Sequence, residues 1–360
     1  MRLKINNNSF EGQTIYAGID VHKKSWKVTV RNEHHHLKTF SQEPSAHTLI
    51  NYFKNNYPGA TIRVLYEAGF SGFSASREFA EKGIECKLVH ALDIPRSNKD
   101  KQMKSDTVDS RRLCSLHFDP KQEYIHIPDE ELEADRALLR QRIRVMKDLS
   151  RTKNRLKSLF FQIGIKIPEE INEEASRKWT KEYLKWVDSI QVSASSFKKA
   201  IDRYIEIGKE LSSQLKECNK AVLELSRKER YKEEFGLIMT IPGVGKMTAM
   251  VFLLQIGDVG RFKTLDQLCL YVGLAPRTYS SGEEIKTGGM VKRGRKELKI
   301  NLIECSWVAI RQDPALTLKF SELCKRMNKN KAIIRIARKI LSRIRYVLRT
   351  KEVYQTGVVQ

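Results

Sequence analysis

The N-terminal part of the chain alternates between short β-rich runs and helical stretches in an order that few folds accommodate. Three extended runs come first, and helices and strands then alternate. This order predicts an α/β domain with a mixed sheet, in which an antiparallel meander is extended by parallel strands. The predicted elements are two strands within 15–30 flanking the turn-like VHKKS, a strand at 36–40, a helix at 46–56, a strand at 61–67, a helix at 74–82, a strand at 85–90 and a further helix.

Four carboxylates occupy special positions in this pattern. Asp20 closes the run IYAGID, and Glu67 closes the run VLYE, so each of these acids ends a strand. Asp106 and Asp109 in KSDTVDSRRL are three residues apart, which puts both carboxylates on one side of a helix. In the RNase H-like architecture the central first strand and its parallel neighbour carry acids at adjacent ends. We therefore expect an RNase H-like domain over residues 1–130.

Four acids gathered in one pocket would repel one another unless cations intervened. Hard Mg²⁺ or Mn²⁺ is the expected occupant, held partly by carboxylates and partly by phosphate oxygens. Each acid alone has a simpler explanation, which is a turn for Asp20, a strand-end surface for Glu67, and a helix cap or first-turn position for Asp106 and Asp109. The complete set, with each acid at its architectural position, favours the metal site.

The acids stand out because the chain as a whole is strongly basic. Its 66 Lys and Arg residues against 43 Asp and Glu give a formal net charge of +23. Neutralising phosphates releases counterions, so this excess favours a polyanionic partner over an ordinary solvated surface. Basic residues near the acids would draw a phosphate backbone toward them, namely Arg96, Lys99, Lys101, Lys104, Arg111 and Arg112.

Several classes of protein are disfavoured by what the sequence lacks. Its six cysteines are scattered without a CxxC pair, so neither a zinc site nor a disulfide framework is indicated. There is no Walker-type phosphate loop, so ATP hydrolysis is not expected. No apolar run approaches a membrane-spanning length, and the N-terminus lacks an apolar signal core. We expect a soluble, cytoplasmic protein without a membrane partner.

Two amphipathic stretches in the middle of the chain carry heptad-like seams. Their apolar positions alternate in steps of three and four, which is typical of a coiled coil. We expect residues 131–232 to form a helical arm, either an antiparallel hairpin or a dimerisation element, whose two helices are joined by a segment with Pro168 and an aromatic patch. The first seam runs through Leu138, Val145, Leu149, Thr152, Leu156, Leu159 and Ile163, the second through Ile201, Tyr204, Gly208, Leu211, Leu215, Cys218, Val222 and Leu225, and the patch is Trp179, Tyr183 and Trp186.

A third, mostly helical domain is expected over residues 233–360. Its motif IPGVGK looks like a helix-hairpin-helix, in which Gly243 and Gly245 let the backbone turn tightly and present N–H groups to an anion. Such turns between helices are often structural, but Lys246 just inside the second helix favours phosphate binding. Near the end of the chain, Lys325 to Arg349 holds ten Lys or Arg and no acid beside an apolar stripe. We expect a docked helix with a basic outer face there.

A loop rich in small residues is expected from Gly273 to Lys299. A serine within it, Ser281, could act as a phosphoryl nucleophile if a base removed its proton and cations stabilised the oxyanion. Taken alone, Ser280 and Ser281 are ordinary loop serines, so the residues themselves leave this role open. Neighbouring basic side chains could supply the charge, namely Arg277, Lys286, Lys292, Arg293 and Arg295.

The combination of motifs resembles the DEDD transposases of insertion sequences, of the IS one-ten type, over nearly the whole chain. The resemblance implies a RuvC-like N-terminal domain, a coiled coil and a C-terminal transposase domain, in that order. It also implies a prokaryotic, nucleoid-associated recombinase that acts on donor and target DNA and is guided by a structured noncoding RNA. The motifs are GID at 18–20, YEA at 66–68, KSDTVDSRRL at 104–113, IPGVGKMTA at 241–249 and GLAPRTYSSG at 273–282.

The resemblance also implies roles for individual residues. It assigns the nucleophile to Ser281, immediately before Gly282, and a lysine position of a basic turn to Lys292. DNA would be joined covalently to the serine, and Mg²⁺ would complete a composite site contributed by different subunits of a dimer or tetramer. The metal-binding acids it implies are Asp20, Glu67, Asp106 and Asp109.

Two other functions stay open at this point. A metal-dependent, RuvC-like structure-specific endonuclease would use water as the nucleophile, and Ser281 would then be structural. A nonenzymatic RNA-binding scaffold with a degenerate nuclease fold would not require the complete set of acids.

Overall fold

A computed structural model describes residues 9–69, 71–95, 106–171, 173–281, 284–291 and 294–356, with the backbone alone at 177–178, 277–281 and 284–287. The chain divides into two compact units between Pro128 and Asp129. The elements of the first unit are β1 (Thr14–Val21), β2 (Trp26–Arg31), β3 (His36–Gln42), α1 (Ala46–Asn56), β4 (Thr61–Glu67), α2 (Ser74–Glu81), β5 (Glu85–Val89) and α3 (Asp106–Ser115), with single 3₁₀ turns at Ala91–Asp93 and Leu116–Phe118.

The first unit is built on a five-stranded mixed sheet with the strand order β3-β2-β1-β4-β5. Strands β1 to β3 form an antiparallel meander, and β4 pairs parallel with both β1 and β5. Strand β1 is therefore central, with β4 as its parallel neighbour. This confirms the predicted α/β mixed sheet and is consistent with an RNase H-like fold.

The two faces of the sheet pack against different helices, because successive side chains of a strand point to opposite faces. One face packs its apolar residues against α1 and α2. On the other face, Leu65 of β4 and Val89 of β5 cluster with Leu113 of α3. By this alternation Asp20 and Glu67 both belong to the α3 face. The buried strand residues of this face are Ile15, Ala17, Ile19, Val21, Trp26, Val28, Val30, Val64, Tyr66 and Leu88.

Helix α3 approaches β1 closely because Gly18 has no side chain. A Cβ atom at this position would overlap the backbone nitrogen of Cys114 and the carbonyl oxygen of Ser110. Ser110 is fully buried, and its hydroxyl lies 2.9 Å from Thr29 Oγ1 on β2. The glycine of the GID motif thus fixes the helix that carries Asp106 beside the strand that carries Asp20.

The second unit is mostly helical, as predicted for the C-terminal part of the chain. No helix within the described ranges is both long enough and apolar enough to cross a membrane. The elements are α4 (Glu130–Gln162), α5 (Glu173–Lys178), α6 (Lys181–Ser189), α7 (Ser195–Glu224), α8 (Glu229–Met239), α9 (Lys246–Ile256), α10 (Leu265–Val272), β6 (Pro276–Ser281), β7 (Glu284–Met290), α11 (Lys296–Gln312), α12 (Pro314–Cys324) and α13 (Lys329–Thr350), with 3₁₀ turns at Leu225–Arg227 and Val259–Arg261.

The two longest helices, α4 and α7, pack along each other. The middle of the predicted seam on α4 is buried, from Val145 to Leu156. Towards the start of the helix Leu139 is buried instead of Leu138, because this end joins the core formed by the C-terminal helices. Towards the far end Phe160 is buried instead of Leu159, since it packs into a small cluster with α6 and α7. The predicted register therefore holds only for the central part of α4.

The C-terminal helices surround α9, whose residues from Ala249 to Leu254 are all buried. Helix α13 docks against this core through its apolar stripe, as predicted, while Arg335 and Lys339 face solvent.

The segment from Gly273 to Lys299 was expected to be a loop, but the structure has an antiparallel hairpin of β6 and β7 within it. Thr278 and Tyr279 on β6 and Ile285 and Thr287 on β7 are of the residue types that favour strands, which explains the extended conformation of both segments.

Candidate functional site

Three side chains meet at the end of the central strand. The ligand atoms of Asp20, His22 and Asp106 all lie within 4.8 Å of one another. His22 Nε2 is 3.1 Å from Asp20 Oδ2 and 3.6 Å from Asp106 Oδ1. The side chain of Asp20 is 16% exposed and that of Asp106 is 60% exposed, so the group is closed towards the sheet and open to solvent. We call Asp20, His22 and Asp106 the acid cluster.

Glu67 lies beside this cluster in the sheet. Ile19 of β1 pairs with Tyr66 of β4 in parallel register, so Asp20 and Glu67 follow as neighbours at the ends of the two strands. Both residues lie on the face that packs against α3, and Glu67 is partly buried. Glu67 thus lies on the strand next to Asp20 and on the same face of the sheet, as the strand pattern predicts.

Asp109 follows Asp106 by one turn of α3. Its carboxylate accepts a hydrogen bond from Arg112 Nη1 at 3.1 Å, and its side chain is 19% exposed. Asp109 is also close enough to Asp20 for its charge to act on that carboxyl group. It therefore borders the acid cluster and is held by Arg112 on its own helix.

The electrostatics of Asp20 reflect this crowding. Burial raises the pKa of the Asp20 carboxyl most, and the charges of Asp106 and Asp109 raise it further. The charge and hydrogen bond of His22 act in the opposite direction, but the pKa stays above its ordinary value. A carboxyl group destabilised in its ionised form by burial and like charges would gain from a nearby cation.

His22 was not among the residues predicted from the sequence. The segment VHKKS that contains it was interpreted as a turn, and β1 does end at Val21. The spacing could have indicated His22, because side chains two residues apart in an extended strand lie on the same face. His22 follows Asp20 by two positions.

The predicted glycine hairpin joins α8 to α9, and its two glycines have different environments. Gly243 has a φ of 85°, and a Cβ there would lie 2.6 Å from the backbone nitrogen of Ala309 and 2.7 Å from the carbonyl oxygen of Cys305. Gly243 is therefore required for close packing against α11. Gly245 and Lys246 at the start of α9 are exposed, so this end of the motif is the part open to a ligand.

The predicted serine and its basic neighbours lie in and around the β6–β7 hairpin. Ser281 is the last residue of β6 and pairs with Glu284 across the hairpin. Arg277 lies on β6, and Lys286 pairs with Tyr279 on the opposite strand. Predicted basic residues that lie outside the described residues are Arg96, Lys99, Lys101, Lys104, Lys292 and Arg293.

Arg295 is the one predicted basic side chain of this region whose contacts the structure describes. It precedes α11 and donates to the hydroxyl of Tyr271 from Nη2 at 2.8 Å and from Nε at 3.1 Å. Arg295 thus has a defined aromatic partner on α10 while remaining exposed.

The mixed sheet with acids at neighbouring strand ends is consistent with the RNase H-like fold of DEDD transposases, and comparison with known proteins identifies the chain as a transposase. A transposase family model of the DEDD, IS110 type matches residues 17–165, and a model described as "Transposase IS116/IS110/IS902 family" matches residues 236–322. The chain belongs to the IS110 family of transposases. The resemblance drawn from the sequence motifs is therefore confirmed.

Individual relatives are similar at a moderate level. The transposase for insertion sequence element IS1533 of Leptospira borgpetersenii is 28% identical over 68% of this chain and 70% of its own length. The transposase for insertion sequence element IS1328 of Yersinia enterocolitica is 23% identical over 81% of this chain and 82% of its own length. A Sinorhizobium fredii protein, which carries the name "Putative transposase y4qE", is 27% identical over 67% of this chain. The matched part is 57% of that protein, so this chain spans little more than half of it.

Proposed function

We propose that this protein is the transposase of an insertion sequence, which cleaves, exchanges and rejoins strands of donor and target DNA. In this proposal Ser281 is the nucleophile, and a divalent metal ion at the acid cluster assists it. The observation that carries the proposal is the convergence of Asp20, His22 and Asp106 within 4.8 Å at the end of the central strand. This convergence falls within the region matched by the DEDD transposase model.

The donor set suits a hard divalent ion. Carboxylate oxygens are the ligands that Mg²⁺ and Mn²⁺ prefer, and Mn²⁺ also accepts an imidazole such as His22. Asp20 and Asp106 would hold the ion, with Glu67 and Asp109 completing the acid set. Such an ion would stabilise the negative charge that develops on a phosphate group during strand cleavage. The raised pKa of Asp20 supports this assignment, because a cation favours the ionised carboxylate.

Ser281 would carry out the covalent step. Its Oγ attacks a DNA phosphorus and forms a Ser–O–P bond, while the bond to the departing deoxyribose oxygen breaks. The serine proton passes to a base, and the departing oxygen takes up a proton. A hydroxyl of the second strand then displaces the serine, so bond energy is conserved and ATP is not required. The position of Ser281 at the end of β6, next to Gly282 of the family motif, supports this role.

Basic groups of the second unit would hold the nucleic-acid backbone. We infer that the hairpin between α8 and α9 acts as a helix-hairpin-helix that binds phosphates without reading sequence. The exposure of Gly245 and Lys246 supports this role. The residues we assign to nucleic-acid binding are Gly243, Gly245, Lys246, Arg277, Lys292, Arg293 and Arg295.

The long helices α4 and α7 would form the assembly element. We infer a coiled-coil arm over residues 131–232 and a transposase domain over 233–360, in a homo-oligomer that is a dimer or tetramer. The packing of α4 along α7 supports the arm. A structured noncoding guide RNA is the further partner, consistent with the net charge of +23 and with delegation of sequence reading to base pairing.

Capture of a covalent protein–DNA adduct tests this function. Full-length protein is incubated with the guide RNA, both DNA partners and Mg²⁺, and the products are separated under denaturing conditions. We expect an adduct with the wild type and with the neighbouring control Ser280→Ala, but none with Ser281→Ala.

Two results would contradict the serine mechanism. One is an adduct that persists at full yield in Ser281→Ala. The other is metal-dependent nicking that Ser281→Ala leaves unchanged and Asp20→Asn abolishes, which would instead favour a hydrolytic endonuclease.

A further inference from the structure

Three arginines converge on one tyrosine in the second unit. Tyr271, near the end of α10, accepts hydrogen bonds from Arg295 and donates to the carbonyl oxygen of Gln255 at 3.3 Å. The guanidinium of Arg261 lies 4.6 Å from the centroid of the Tyr271 ring, and that of Arg295 lies 5.1 Å from it. Arg136 of α4 completes the group, because its Nη2 donates to the same Gln255 carbonyl at 3.2 Å. We call Arg136, Arg261 and Arg295 the arginine cluster.

Part of this arrangement has a structural explanation. Arg136 donates to the carbonyl of Leu254 at 2.6 Å, and Arg261 donates to the carbonyl of Ile256 at 3.2 Å, so both satisfy carbonyl groups at the C-terminal end of α9. The end of a helix carries only about half a negative charge. Three guanidinium groups therefore bring far more positive charge than capping requires.

The surplus positive charge also shifts the pKa values of Arg136 and Tyr271. Burial lowers the pKa of the Arg136 guanidinium, and Arg295, Arg261 and Arg140 lower it further, against an opposing effect of Tyr271. Burial raises the pKa of the Tyr271 phenol, but Arg295, Arg261 and Arg136 outweigh it and hold the pKa below its ordinary value. An anion at this place would relieve the mutual repulsion of the arginines.

The arginine cluster retains N–H groups that could donate hydrogen bonds to such an anion. A guanidinium has about five N–H groups, and in the contacts among described residues no arginine of the cluster uses more than two of its nitrogens. Arg261 is stacked on the rings of Phe262, at 4.2 Å, and Tyr271. Stacking fixes the plane of the guanidinium and leaves its edge free for a bidentate contact with phosphate.

The cluster lies at the base of the β6–β7 hairpin. The backbone N–H of Arg295 donates to the carbonyl of Tyr271 at 3.3 Å, and that of Val291 donates to the carbonyl of Ala275 at 3.0 Å. Strand β6 has six residues and rises by about 20 Å from this base to Ser281. That length corresponds to about six base pairs of duplex at 3.4 Å each.

We propose that the arginine cluster binds a phosphodiester group of the nucleic-acid backbone, about six base pairs from the phosphate that meets Ser281. The site is separate from the acid cluster, and Arg136, Arg261 and Tyr271 add to the nucleic-acid contacts inferred above. Only the stated distance rests on the proposed role of Ser281. Phosphate binding at the cluster holds whether or not that serine is the nucleophile.

The test measures how binding depends on salt. Affinities of full-length protein for a random-sequence DNA duplex and for single-stranded RNA of equal length are measured over a range of salt concentrations. Arg295→Gln and Arg261→Gln are the variants. Arg136 is left unchanged because it donates to two carbonyl groups at the end of α9, whereas Arg261 donates to one, so replacing Arg136 would mix folding with binding most. Arg203→Gln is the matched control, because Arg203 is 75% exposed on α7 and its loss removes the same charge.

We expect each variant to bind about tenfold more weakly and to reduce the slope of log affinity against log salt by about one, the value for one phosphate contact. Arg203→Gln should leave the slope unchanged. A loss confined to the DNA or to the RNA identifies which backbone occupies the site. Wild-type affinity and slope in both variants, with both nucleic acids, would overturn the proposal. Ser281→Ala should bind with the wild-type slope, so failure of the serine mechanism is distinguishable from failure of this site.

Discussion

At the residue scale, Asp20 combines constraints that rarely occur together in a purely structural carboxylate. Its side chain is mostly buried, an imidazole nitrogen lies 3.1 Å away, and two further carboxylates act on its charge. A structural acid at a strand end would normally be solvated or paired with a fixed cation. The arrangement is understandable if Asp20 is adapted to a bound cation.

The raised pKa of Asp20 predicts how stability depends on pH without metal. Between its unfolded value near 3.8 and its higher folded value, the folded protein binds more protons than the unfolded chain, so stability falls as pH rises through this window. Asp20→Asn should therefore be more stable than the wild type at neutral pH, and the difference should vanish at low pH, where both side chains are neutral. Denaturant unfolding in chelator at several pH values measures this.

The exposed carboxylate of Asp119 provides the control for that experiment. Asp119→Asn should follow the pH dependence of the wild type. A stability difference between Asp20→Asn and the wild type that stays constant across the pH range would contradict the electrostatic account of Asp20.

The role of a residue can be predicted from the sequence when its near neighbours in the chain indicate its position in a strand or helix. Asp20 and Glu67 could be recognised because each ends a strand, and Asp106 because it shares a helix face with Asp109. The arginine cluster could not be recognised in this way, because its members come from α4, the turn Val259–Arg261 and the residue before α11, and they meet only in the folded unit. His22 belongs between these cases, since its spacing from Asp20 was informative but its segment also resembled a turn.

At the scale of elements, the acid cluster depends on how closely α3 approaches β1. Gly18 permits that approach, because any side chain would overlap the backbone at Cys114 and Ser110. The backbone of a helix cannot yield as the end of a flexible side chain can. A substitution at Gly18 must therefore move α3, and with it Asp106.

We predict that Gly18→Ala lowers the free energy of unfolding by about 2–4 kcal/mol and weakens metal binding. Gly69→Ala is the matched control, since a Cβ at Gly69 would meet no atom within 4 Å. Denaturant unfolding and Mn²⁺ titration of both variants measure the two effects. Wild-type stability and metal affinity in Gly18→Ala would show that α3 is not held as described.

The elements themselves were largely predictable where periodicity was strong. The order of strands and helices in the first unit follows from alternating apolar runs, and the docked helix α13 follows from its stripe. The seam of α4 differs from the prediction at both ends because Leu139 and Phe160 join clusters that include helices besides α7. The β6–β7 hairpin was expected to be a loop because glycines and serines obscured its short alternating strands.

At the scale of the whole molecule, the acids and the serine lie in different units of the chain. The proposed composite site would be assembled from different subunits. Two inactive variants would then complement each other, because one subunit type retains the acids and the other retains the serine.

We predict that co-expressed Asp20→Asn and Ser281→Ala subunits form the covalent DNA adduct, although neither variant does so alone. Random mixing of subunits should restore a substantial fraction, roughly a quarter to a half, of the wild-type yield. The adduct assay with the mixed protein measures this, and the Asp20→Asn, Ser281→Ala double variant is the negative control. Absence of an adduct from the mixed protein would indicate that each site is built within one chain.

The charge of the whole chain was the most reliable prediction of its class of partner. A net charge of +23 indicates a polyanion without any knowledge of the fold, since counterion release depends on charge alone. The acids become informative only against this background, because carboxylates gathered in a cationic protein require a reason. A bound divalent metal ion, as proposed above, would supply that reason.

Calorimetric titration of Mg²⁺ into the full-length protein tests this claim most directly. We expect the wild type and the exposed control Asp188→Asn to bind Mg²⁺ alike, and Asp20→Asn and Asp106→Asn to lose affinity by about tenfold or more. Equal Mg²⁺ affinity in all four proteins would contradict the assignment of the acid cluster as the metal centre.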